Sequence, residues 1–169
     1  PVNLKRVSID LERDEINAYP FLFFTGLDDF VLTGKQIDAL RKHVTRGGTL
    51  VVNNALGLAT FHQAVVREMR RAFPQSDLAL LPQSHEIFRN LNSIKRVKYT
   101  PTLMKDKGEQ LQGRPVLFGA KVGGRLCLLY SPYDLEGGWN EVRYPLSRGY
   151  QSASAKKLGC NIIMYAMEH

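Results

Sequence analysis

Two apolar runs limit what this chain can fold into. Tyr19-Pro20-Phe21-Leu22-Phe23-Phe24-Thr25-Gly26 and Gly47-Gly48-Thr49-Leu50-Val51-Val52-Asn53-Asn54 are too continuously apolar and β-branched for amphipathic helices. Between them Thr33 offers an N-cap, and Ile37, Leu40 and Val44 recur at helical spacing. Arg41, Lys42 and Arg46 crowd the last turns, where cations complement the helix dipole, and Gly47-Gly48 ends the helix. Strand, helix, strand with so long a connection implies a right-handed crossover and parallel pairing. Runs without alternation predict strands buried on both faces.

The rest of the chain extends this α/β pattern. Val7 to Leu11 alternates with period two and predicts a short edge strand or extended lead-in, followed by about one helical turn to Asn17. A second helix is expected from about Thr60 to Phe73, with Phe61, Val65, Met69 and Ala72 on one face and Pro74 ending it. Leu78 to Leu81 reads as a short strand, and Ser84 to Asn90 as a loop entering a helical turn. Residues 91–114 are polar, basic and broken by Pro101, Gly108 and Gly113, which predicts a long surface excursion. Two apolar runs, Pro115 to Val122 and Arg125 to Ser131, flank Gly123-Gly124 and predict a hairpin. A last helix from about Ser152 carries Ala155, Leu158, Ile162 and Ala166 on one side.

At 169 residues the chain is expected to form one domain over 1–169, and no apolar run reaches the roughly 20 residues of a membrane-spanning helix. The absence of an initial Met points to sequence missing before Pro1, where a leader or anchor could lie, so the compartment stays open. Cys127 and Cys160 both read as buried free thiols within elements. With 23 Lys+Arg against 16 Asp+Glu the net charge is +7, which suits an acidic partner. The basic residues are dispersed, however, and Lys95-Arg96-Val97-Lys98-Tyr99 has no accompanying nucleic-acid motif, so a nucleic-acid partner is not expected.

The runs at 19–26, 40–44 and 47–54, together with Phe61 to Pro74, His85-Glu86-Ile87-Phe88, Tyr130 to Leu135 and Leu158 to Ala166, resemble an uncharacterised bacterial domain-of-unknown-function family. That family is placed among class I glutamine amidotransferase-like folds, near the ThuA-like proteins. The resemblance implies a flavodoxin-like three-layer α/β/α sandwich with a mostly parallel sheet, plus the C-terminal hairpin, and no established activity. Where amidotransferases carry Gly-x-Cys-x-Gly on a strand-to-helix elbow, this chain has Asn53-Asn54-Ala55-Leu56-Gly57. Without a thiolate there the glutaminase reaction has no nucleophile.

In open α/β sheets ligands bind beyond the carboxyl ends of the strands. The candidate pocket is therefore Gly26, Asn53, Asn54, His62, His85, Tyr130, Ser131, Asp134 and Trp139. The amides of Asn53 and Asn54 can donate to and accept from a ligand, or close an Asx turn. His62 falls on the first turn of a helix, where it can face the crevice or serve as a surface or capping residue. His85 sits in a His-x-Ile segment like that near the presumed pocket of ThuA-like relatives, and it can equally anchor a loop. Tyr130, Tyr133 and Trp139 can wall a pocket for a sugar or peptide, or Trp139 can cover the sheet edge. Two functions follow. One is a non-catalytic domain that binds a small molecule or protein partner. The other is a hydrolase acting on a carbohydrate or amide through His85, Ser131 and Asp134. No cofactor is implied, and no ligand spacing supports a metal site.

Overall fold

The computed structural model describes residues 7–13, 15–141 and 144–169. They form an α/β fold around one open, mixed five-stranded sheet: β1 (Phe21–Gly26), β2 (Thr49–Asn54), β3 (Ala79–Leu80), β4 (Phe118–Val122) and β5 (Arg125–Ser131). The helices are α1 (Gly34–Thr45), α2 (Ala59–Ala72), α3 (Pro101–Leu111), the single-turn α4 (Glu136–Trp139) and α5 (Ser152–Glu168). Strand order is β1-β2-β5-β4-β3.

The expected parallel unit forms, with β1 beside β2 and Phe21 opposite Thr49. Thr33 caps α1 through a capping box with Gln36. The expectation of a mostly parallel sheet is corrected: β1–β2 and β2–β5 pair parallel, but β5–β4 and β4–β3 pair antiparallel. The cause is the hairpin itself. Gly123 and Gly124, at φ +60° and +85°, make a two-residue turn that only glycine enters freely, and it reverses the chain. Once β5 joins β2 in parallel, β4 must oppose it.

Alternation along β2 and β5 divides the core. Leu50, Val52, Leu128 and Tyr130 face α1 and α2, joined by Ile37, Leu40, Val44, Phe61, Val65 and Met69. Val51 and Leu129 face the other way, against Leu103 of α3 and Ala155, Leu158 and Ile162 of α5. The central strand β2 is buried at all six positions. In β1 only Leu22 is buried, because the strand lies at the sheet edge, so two-sided burial fails there. Val7 to Leu11 makes no ladder; Ile9 and Leu11 pack half-buried against the α1/α2 core instead.

Residues 91–114 hold the largest surprise. The expected irregular excursion contains α3, with Thr100 accepting from Leu103 N–H as N-cap and Pro101 in the first turn. Pro101 starts this helix, Gly108 is tolerated inside it, and Gln112 (φ +49°) and Gly113 (φ +70°) end it in the left-handed region. Cys127 is buried as expected and burial raises its thiol pKa, but Cys160 is exposed on the outer side of α5.

Candidate functional site

The carboxyl ends of β1, β2 and β5 carry two separate polar networks, because Asn53 and Asn54 point to opposite faces of the sheet. On the α5 side, Asn53 Nδ2 donates to Thr25 Oγ1 (3.1 Å) and Asp134 Oδ1 (3.3 Å), while its Oδ1 accepts from Leu135 N–H (2.9 Å). One side chain thus ties the ends of three adjacent strands. Asp134 also accepts from Gly137 N–H (3.1 Å) and Ser147 Oγ (3.2 Å). Its backbone bridges to the 148–150 segment through Asp134 N–H to Arg148 O (3.0 Å) and Tyr150 N–H to Asp134 O (2.9 Å). Ser131 is buried and donates to Tyr133 O (2.6 Å).

On the α2 side, Asn54 closes its own loop: Oδ1 accepts from Leu58 N–H (2.9 Å) and Nδ2 donates to Leu58 O (2.8 Å). Nδ2 also approaches the Tyr130 hydroxyl at 3.4 Å, and that hydroxyl lies 3.0 Å from His62 Nδ1 with the two rings stacked. We assign the imidazole proton to Nε2, because that tautomer gives the buried Tyr130 hydroxyl hydrogen an acceptor at His62 Nδ1 while the oxygen accepts from Asn54 Nδ2. Burial first, then the charge of Lys107 on α3, lowers the His62 pKa below its ordinary value. At neutral pH the ring is therefore uncharged. Burial likewise raises the Tyr130 pKa, which keeps its hydroxyl protonated. Of the network's side chains only His62 reaches the surface; Asn54 and Tyr130 are fully buried.

The elbow between β2 and α2 is strained at Leu56, whose φ of +58° is unusual for a branched side chain. Arg148 N–H holds it by donating to Leu56 O (3.1 Å), and Arg148 Nε pairs with Asp106 of α3 at 2.6 Å. The segment expected to run over the surface thus supplies, through Asp106, the ion partner of the residue that holds this elbow. Neither Ala55 nor Leu56 carries a nucleophile.

The remaining candidates have packing roles. A Cβ at Gly26 would lie 2.3 Å from Phe61 Cε2, so glycine there admits the Phe61 ring. Trp139 donates through Nε1 to Ala155 O (2.6 Å) and packs on Phe23 and Gly159, filling the seam between β1 and α5. His85 caps the 3₁₀ turn Glu86–Phe88 by accepting from Ile87 N–H at 3.2 Å, and its ring tilts against Tyr165. Burial lowers its pKa. Tyr165 lies thirteen residues beyond Ser152 on α5, about 20 Å at ~1.5 Å per residue. Asp134 meets the chain just before the start of that helix. His85 and the Ser131–Asp134 loop therefore sit at opposite ends of α5, far outside the roughly 3 Å a proton transfer needs.

The chain matches, over residues 1–167, the family model described as Domain of unknown function (DUF4159). It belongs to that family. No curated protein matches this DUF4159 chain. Sequence reasoning missed Thr25, Ser147 and Lys107, the partners that complete the two networks, because isolated polar residues carry no periodic signal. The Thr100-Pro101 pair, an N-cap followed by a first-turn proline, was the available clue to α3 and its rim position. Among the described residues no group of three or more His, Cys, Asp or Glu side chains gathers as a metal site, and no helix is long and apolar enough to cross a membrane.

Proposed function

We propose that this DUF4159 domain is a non-catalytic, amidotransferase-like α/β module of flavodoxin-like type, akin to ThuA-like proteins. It binds a small ligand or a protein partner at the carboxyl ends of its strands. The observation that carries the reading is the His62–Tyr130–Asn54 chain. It holds an uncharged, half-buried imidazole at the strand ends, with Nδ1 occupied and Nε2 without a hydrogen-bond partner among the described residues. A ligand there presents an acceptor, such as a carbonyl, hydroxyl or carboxylate oxygen, and Lys107 beside His62 favours a negatively charged one. The non-catalytic part rests on occupied side chains: Ser131 and Asp134 are spent on internal bonds, and His85 lies at the far end of α5.

A thermal-shift screen of sugars, amino acids and small carboxylic acids, run on wild type and His62→Ala, tests the reading. A ligand at a hundred times its Kd adds about 2.7 kcal/mol, a shift of roughly 5–10 °C for a domain of this size. The reading expects that shift in wild type, its loss in His62→Ala, and recovery of the ligand unchanged. A shift that survives His62→Ala moves the site elsewhere, and consumption of an amide or glycoside makes the domain a hydrolase.

A further inference from the structure

The dispersed basic residues of the sequence do not stay dispersed. Arg96 and Lys98, just before α3, meet Lys157 of α5 around a groove of about 870 Å³. Gln112, Gln151 and Ser154 add polar atoms to its wall, while Val97 and Met104 give it an apolar side. Among the described residues that line it none is acidic. Among the described residues none of the three cations pairs with a carboxylate; Arg96 Nη2 donates only to the carbonyl of Gln112, at 3.0 Å.

Three cations around one concavity, none matched by a carboxylate, form a local positive field that an anion would neutralise. Two glycines line the groove. Gly108 sits inside α3, where glycine costs about 1 kcal/mol relative to alanine, and a Cβ there would press on Met104 Cε at 3.0 Å. Gly113, at φ +70°, lets the chain turn beneath the Arg96 guanidinium. The first turn of α5 also opens here. Gln151 spends its side chain on Tyr99 O (2.9 Å) and does not cap the helix, while Ser154 Oγ accepts from Lys98 N–H (2.9 Å) and fixes the basic segment against that turn. Helix-start N–H groups then add to the positive field of the side chains.

We propose that the α3–α5 groove binds a small phosphate-bearing molecule with an apolar or aromatic body, at a site separate from the His62 crevice. Arg96, Lys98 and Lys157 take the phosphates, and Val97 and Met104 take the body. The volume suits a single small ligand, since pockets of that kind span roughly 300–1,000 Å³. A nucleic-acid track would instead need positive charge running well beyond one concavity.

Titration calorimetry of the whole chain at low salt, with ADP, inorganic pyrophosphate and a single-stranded oligonucleotide as probes, tests the proposal. The variants are Lys98→Gln, Lys157→Gln and the pair; both side chains are exposed and form no ion pair among the described residues, and circular dichroism and melting confirm folding. The expected result is saturable ADP binding, tighter than pyrophosphate, weakened about tenfold or more in the double variant. Absence of saturable binding by ADP and pyrophosphate overturns the proposal, as does ADP binding that the double variant leaves unchanged. Tight oligonucleotide binding that collapses with salt, without ADP binding, overturns it in favour of a nucleic-acid surface.

Discussion

Replacing Asn53 by Ala removes the side chain that ties β1, β2 and the loop after β5 together. Leu135 N–H, fully buried, loses its acceptor, which costs about 1–3 kcal/mol for an orphaned buried donor. Thr25 is only half-buried and turns to water, while the Asp134 carboxylate keeps Gly137 N–H and Ser147 Oγ. The small cavity left behind adds about 1 kcal/mol. The expected loss is therefore about 2–4 kcal/mol, a fall in Tm of roughly 4–16 °C. Urea unfolding measures it, and an unchanged m-value shows that the native and unfolded states are otherwise alike. Asn53→Asp should behave differently. It sets a second carboxylate beside Asp134, so burial and like charge raise its pKa and the variant is weakest at neutral pH. Its deficit should shrink as pH falls, when protonation restores a donor. A loss below about 1 kcal/mol for Asn53→Ala, or a pH-independent deficit for Asn53→Asp, would refute the view of Asn53 as a staple.

Other consequences are open to simpler measurements. Thr100→Ala removes the α3 cap and the hydroxyl donor to Ser147 O (2.5 Å); it should cost about 1–2 kcal/mol in urea unfolding, with faster hydrogen exchange in 101–104. Burial lowers the pKa of His43, His62 and His85, so the folded state binds fewer protons than the unfolded chain just below pH 6.5. Stability is then fully present above about pH 6.5 and falls as the solution is acidified towards the folded-state values. His43, whose ring is buried and whose Nε2 has no hydrogen-bond partner within normal geometry among the described residues, should contribute to that slope, and His43→Leu should flatten it in calorimetric melts against pH. Cys160 should react with a maleimide in the native protein while Cys127 reacts only on unfolding, which mass spectrometry of timed samples can separate.

What the sequence revealed followed periodicity and punctuation. The β1–α1–β2 unit, α2, the Gly123-Gly124 hairpin and α5 all announce themselves by apolar spacing, the first three with a cap, a proline or glycines as punctuation, and all form. Strand neighbours are a different kind of information. Nothing local in Phe21 to Gly26 says that β1 is an edge, and nothing in Arg125 to Ser131 says that β5 pairs with β2. Those choices depend on which faces remain to be covered once the helices pack. Residues 91–114 show the opposite failure, since proline and glycine were read as breakers although one begins α3 and another lies inside it. At the strand ends, Asn53, Asn54 and Asp134 were recognisable as polar residues in a significant place. Whether each would face a ligand or a neighbour depended on Thr25, Leu58, Tyr130, Leu135 and Ser147, contacts set by tertiary packing.

The central claim, that the strand ends bind without reacting and do so at His62, is tested most directly by nuclear magnetic resonance. A ligand that shifts the melting temperature is titrated into labelled protein, and the imidazole nitrogens are followed with the backbone amides. The account predicts that free His62 carries its proton on Nε2. It further predicts that the shifts gather at Leu56 to His62 and around Lys107, and that the ligand spectrum stays intact over hours. A proton on Nδ1 in the free protein, shifts gathered away from His62, or conversion of the ligand into a new species would contradict it.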